Sequence, residues 1–72
     1  PKLSSWRRDL LSGREAECLQ WIAVGKSNQE IADLLGISID TAKEHIHRLF
    51  QKLQVSGRAQ AVSRGHLLAY LG

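Results

Sequence analysis

Apolar residues recur at three- and four-residue spacing in four separate runs of this chain, a pattern that predicts an all-α domain. The sharpest run extends from Ile39 to about Gln54. Turning each residue about 100° from the last places Ala42, Ile46, Leu49 and Leu53 in one narrow stripe, flanked by His45 and Phe50. The opposite face is polar throughout: Asp40, Lys43, Glu44, His47, Arg48 and Gln51. Upstream, Cys18, Leu19, Ile22 and Ala23 share a face, as do Ile31, Ala32 and Leu35. A fourth helix, from about Gly57 to Tyr70, carries Ala61, Gly65 and Leu68 on one side with Val62 and Ala69 beside them.

Punctuation between the runs sets where each helix begins. Ser12 with Glu15, and Ser27 with Glu30, each form a capping box, in which hydroxyl and carboxylate satisfy one backbone N–H apiece at a helix start. Gly25 supplies the conformational freedom to end the first helix, and Gly36, a glycine suited to a left-handed backbone, stops the second. Between the second and third runs stands only Gly36-Ile37-Ser38: a glycine, an apolar plug and a serine placed as the next N-cap. Two helices around so short a turn predict a helix-turn-helix, whose second helix presents its polar face to the major groove of DNA. Residues 12–72 therefore read as one compact four-helix bundle. Residues 1–11, with Leu3, Trp6 and Leu10 at helical spacing, read as a linker or a short extra helix.

Length and composition narrow the chemistry. A chain of 72 residues has room for a single small core, which makes a large enzyme cleft an unfavoured reading. Cys18 is the sole cysteine, so an internal disulfide or a multi-thiolate zinc site is excluded, and its place on the buried stripe makes it a small apolar residue. No apolar run reaches the roughly 20 residues needed to span a bilayer, and the protein is expected to be soluble and cytoplasmic. Starting at Pro1 and holding no methionine, it reads as a piece of a longer protein.

Net charge is +3, unevenly spread: five basic against six acidic residues over 1–40, and five against one over 41–72. The basic half holds the candidate reading helix. Catalysis fails on geometry. His45 and His47 lie roughly 200° apart around a helix and cannot chelate one ion. No H-E-x-x-H spacing or glycine-rich phosphate loop occurs, so neither metal nor cofactor is expected.

The motifs L-S-G-R-E-A-E-C-L, A-V-G-K-S-N-Q-E-I-A-D-L-L-G-I-S-I-D-T-A-K-E-H, K-L-Q-V and R-A-Q-A-V, running from Leu11 to Val62, resemble the LuxR-type helix-turn-helix. That is the output domain of quorum-sensing regulators and of many response regulators. The resemblance implies a DNA-binding domain that works as a dimer, more often activating than repressing, by contact with RNA polymerase. It places base reading at the positions of Lys43, Glu44 and His47, the same three that the helical wheel exposes. Lys43 can donate to guanine O6 or N7. Glu44 can accept from cytosine N4 or else pair with Arg48 four residues on. His47 can donate to a base or a phosphate.

Phosphate contacts are expected from Lys26, Ser27 and Asn28 at the start of the second helix, and from Thr41, Arg48, Gln51 and Lys52 around the third; for Lys52 a solvated charge is the competing reading. Ala59, Ser63, His66 and Tyr70 form the face of the fourth helix left over for a two-fold dimer contact. Arg14 is expected to pair with an acid one turn on or on a neighbouring helix. The chain departs from the family pattern in having Ala42 for the usual valine, and Gly65 and Ala69 where Ala and Gly are common. Trp21 is more typical of the autoinducer-binding group, which would put a small-molecule signal on a domain upstream of this one. An anti-activator that keeps the shape without binding DNA is the alternative function.

Overall fold

A computed structural model describes residues 10–71. Four helices follow in order: α1 (Gly13–Ala23), α2 (Asn28–Leu35), α3 (Ile39–Leu53) and α4 (Arg58–Leu67). The long α3 is the hub, with α1, α2 and α4 all packed against it and α4 also lying on α1. Its stripe does this work: Ala42, Ile46, Leu49 and Leu53 are all buried. They meet Leu11, Cys18, Leu19 and Ile22 from the α1 side, Ile31 and Ala32 from α2, and Ala61 and Leu71 from the C-terminal end. Each fully buried leucine removes enough apolar surface to stabilise the fold by about 2 kcal/mol, so this one cluster holds the bundle together.

The helix starts are those that the serines predict. Ser12 and Ser27 each complete a reciprocal capping box with Glu15 and Glu30, and the Ser38 hydroxyl accepts from the Thr41 N–H. All four helices end alike, with a left-handed residue whose N–H turns back to a carbonyl three residues earlier while the next N–H reaches five residues back. Gly25 (φ 89°) and Gly36 (φ 68°) serve α1 and α2, but Gln54 (φ 58°) and Ala69 (φ 64°) serve α3 and α4.

That last closure corrects the expected fourth helix. It ends at Leu67, not Tyr70, because Ala69 turns left-handed and lets the Tyr70 N–H bond the Gly65 carbonyl at 2.9 Å. The chain then folds back, burying Leu71 and laying the half-buried Tyr70 against the core, with Ala69 exposed. Gly65 makes room for this: a Cβ there would stand 2.9 Å from Leu71 Cδ1 and 3.0 Å from Leu19 Cδ2. Ala23 is likewise exposed rather than on the buried face of α1, since it is the last residue of that helix. The expected linker or extra helix over residues 1–11 lies outside the described residues, apart from Leu10 and the buried Leu11, which pack with the domain.

Candidate nucleic-acid interface

The polar face of α3 is built by subtraction. Once Ala42, Ile46, Leu49 and Leu53 are committed to the core, a 3.6-residue repeat leaves Lys43, Glu44, His47, Arg48 and Gln51 facing outward. All five are exposed, and together they line one shallow open depression. Glu44 and Arg48 form no ion pair within 4.0 Å. Among the described residues the ion pairs are Arg14 with Glu17 at 3.7 Å and Lys52 with Glu15 at 2.8 Å. This face thus presents two free cations, a free carboxylate, an imidazole and an amide, with donors and acceptors side by side. Thr41, half-buried at the first turn of α3, has its hydroxyl tied to Ser38 at 2.9 Å.

Lys52 does not belong to this face. Its ammonium reaches across to the buried Glu15 carboxylate, the same oxygen that accepts from the Ser12 N–H at 2.9 Å. Burial pushes the Glu15 carboxyl up, but the Lys52 ammonium and the Ser12 N–H and hydroxyl outweigh it and hold the group below its ordinary value. Lys52 is therefore a tie between α3 and the start of α1 rather than a free solvated charge. Cys18 is sealed in the core, where burial raises its thiol, so it remains a protonated apolar residue.

At the start of α2, Ser27 is exposed, while Lys26 and Asn28 are half-buried. Ser27 is occupied as a cap: its hydroxyl accepts from the Glu30 N–H, and its own N–H donates to the Glu30 carboxylate at 2.8 Å. These bonds hold the Glu30 carboxyl below its ordinary range. Asn28 Oδ1 accepts from Arg58 Nη1 at 2.9 Å, and Arg58 Nη2 donates to the Lys26 carbonyl. Sequence reasoning had no role for Arg58. Its partners lie thirty and more residues away, and nothing local to R-A-Q-A-V signals them. On α4, Ala59, Ser63 and His66 are exposed as expected, but Tyr70 is not part of that face. Its hydroxyl accepts from the Leu11 N–H at 3.3 Å, and its carbonyl accepts from Gln20 Nε2 at 2.9 Å.

The family model described as "Bacterial regulatory proteins, luxR family" matches residues 9–64. The chain belongs to the LuxR family. It is similar over 62 residues to the CsgBAC operon transcriptional regulatory protein of Escherichia coli (strain K12), with 45% identity covering 86% of this chain and 29% of that protein. The transcriptional activator protein EsaR of Pantoea stewartii subsp. stewartii is 43% identical over 58 residues, 81% of this chain and 23% of its own length. The response regulator protein VraR of Staphylococcus aureus (strain NCTC 8325 / PS 47) is 48% identical over 54 residues, 75% of this chain and 26% of its own. The chain spans about a quarter of the length of these curated relatives. A solved structure titled as the transcription factor GerE superposes with a TM-score of 0.80 at 41% identity, covering 88% of this chain and 94% of that one.

The four-helix architecture of this LuxR-family helix-turn-helix domain is thus shared along almost the whole of a solved relative. The relatives carry the titles of both activators and response regulators at similar identity. The family is one of transcription regulators and not a class of enzymes. No helix among the described residues is long and apolar enough to cross a membrane, and no group of His, Cys, Asp or Glu among them is arranged to hold a metal ion.

Proposed function

We propose that this domain binds double-stranded DNA sequence-specifically, as the output module of a bacterial transcription regulator in the cytoplasm, with α3 in the major groove. The observation that carries the reading is the exposed set Lys43, Glu44 and His47 on the face of α3 directly opposite its buried stripe. Lys43 donates to guanine O6 or N7, and Glu44, unpaired in the free domain, accepts from cytosine N4. His47 donates to a base or to the backbone. Lys26, Ser27, Asn28, Thr41, Arg48 and Gln51 flank this set and set its register through phosphates.

The domain acts as a homodimer about the exposed Ala59, Ser63 and His66 of α4. Relatives titled as transcriptional activators support activation as its output; the domain activates by contact with RNA polymerase, under control of a sensing domain elsewhere in the protein. Any small-molecule signal would bind that sensing domain. Duplex affinity as a function of salt tests the reading. A dimer making about six to eight phosphate contacts loses affinity with a log–log slope near −5 to −7. A flat response, or no duplex binding, would instead identify a protein-interaction module that keeps the shape alone.

A further inference from the structure

Besides Lys52, a second cation of the domain is turned toward the protein rather than toward solvent. Arg58, the first residue of α4, is half-buried, and its guanidinium spans Asn28 Oδ1 at 2.9 Å and the Lys26 carbonyl. A guanidinium carries five donors and no acceptor, so the part of the Asn28 amide that faces it must be the oxygen. The Nδ2 group is then turned away, and it bonds no other described residue. Chemistry makes this orientation consequential. An amide presenting its NH2 group can donate to a phosphate, whereas the flipped amide would present an oxygen and be repelled. The second arm holds the main chain of the α1–α2 turn immediately before the Ser27 cap, so α4 fixes both the side chain and the backbone where α2 begins.

We propose that Arg58 is a positioning residue for duplex binding, acting through Asn28: it occupies the amide oxygen and thereby aims the amide donors at the DNA backbone, without touching DNA itself. The inference rests on the DNA-binding reading above. It assigns Arg58 a different role from Arg48, whose charge is free to meet phosphate directly.

Duplex affinity of the full 72-residue chain and of Arg58→Gln, Asn28→Ala and the double variant tests it. Each single variant loses about fivefold in affinity, the effect of one net hydrogen bond, equally for selected and scrambled duplexes. The double variant binds no worse than Asn28→Ala alone, because the amide through which Arg58 acts is then absent. The salt slope of Arg58→Gln equals that of the parent chain, since the contact weakened is that of a neutral amide and no cation is withdrawn from a phosphate. Should Arg58→Gln melt below the assay temperature, Arg58→Lys carries the same comparison, because an ammonium lacks the planar fork that spans both acceptors.

Losses that multiply in the double variant, a slope shallower by about one unit, or unchanged affinity of the folded Arg58 variant would each overturn the proposal. A parent chain that binds no duplex would remove the DNA-binding reading and this inference together. Binding by the parent chain with multiplying losses would remove the inference alone.

Discussion

The helix-turn-helix and the fourth helix close their ends with the same hydrogen-bond pattern but with different residues. In α2 and α3 the starts carry serine caps, and the turn between them hinges on Gly36, whose left-handed backbone costs nothing sterically. In α4 the N-cap is Gly57, which offers no side-chain bond, and the left-handed residue after the helix is Ala69. A residue with a Cβ sits in that conformation at a cost of about 1 kcal/mol or more. The first region is specified by its own short sequence. The second is held in shape from outside, by Leu71 seated over Gly65 and Leu19, and by Tyr70 bonded to Leu11. Local encoding thus coincides with the proposed reading helix, and dependence on distant contacts with the end of the proposed dimer helix.

The largest effect on this contrast comes from filling the space that α4 leaves for its own return. Gly65→Leu collides with Leu71 and Leu19 and is expected to cost about 2–3 kcal/mol through overpacking and expulsion of Leu71. A thermal melt of the purified domain reads this as a drop of about 8 °C or more. A melt within a degree of the parent would show that the C-terminal return contributes little.

Next in size is the start of α1, where a local cap and a long-range tie share one carboxylate. Glu15→Gln weakens the box and removes the Lys52 pair, at a cost of about 1–2 kcal/mol near neutral pH; the pair counts for little of this because Lys52 is 39% exposed. The Glu15 carboxyl titrates lower in the folded than in the unfolded chain. Its contribution is therefore full above the ordinary value of 4.5 and is lost as pH falls through and below it. Melting curves across that range are expected to show the parent and Glu15→Gln converging in acid. A gap that persists unchanged would place the stabilisation in something other than the charge.

Smallest is Ala69→Gly, which would give α4 the kind of ending that α2 already has. Relief of the left-handed alanine, less the entropy that glycine adds to the unfolded chain, is expected to gain about 1 kcal/mol, a rise of about 4–8 °C in melting temperature. The same substitution at Gly36 in reverse, Gly36→Ala, should lose a similar amount. Equal melts for both would remove the distinction between the two regions.

What could be read from the sequence divides along the same line. Ser12, Ser27, Ser38, Gly25 and Gly36 mark helix ends by local chemistry, and the buried stripe of α3 follows from its period, so the fold and the exposed polar face of α3 were legible. The end of α4 was not. Its apolar spacing runs on past Leu67, and only the packing of Leu71 onto Gly65 shows why the helix stops there. The bonds of Lys52 and Arg58 were passed over for the same reason: their partners, Glu15 and Asn28, lie 37 and 30 residues away, and a charge on a helix surface carries no mark of what it will meet. The departure of Gly65 and Ala69 from the family pattern now has a physical meaning, for residue 69 takes the left-handed backbone that glycine favours.

The central claim is that Lys43, Glu44 and His47 read bases from α3. Selection of duplexes from a random pool, with the parent chain beside Lys43→Ala and Glu44→Gln, tests it most directly. The account predicts two symmetric half-sites about one helical turn apart or a multiple of it. Each variant should lose preference at its own base pair by about 1–3 kcal/mol while keeping the rest of the site. Identical enriched sequences for all three proteins, or no enrichment by the parent chain, would contradict it.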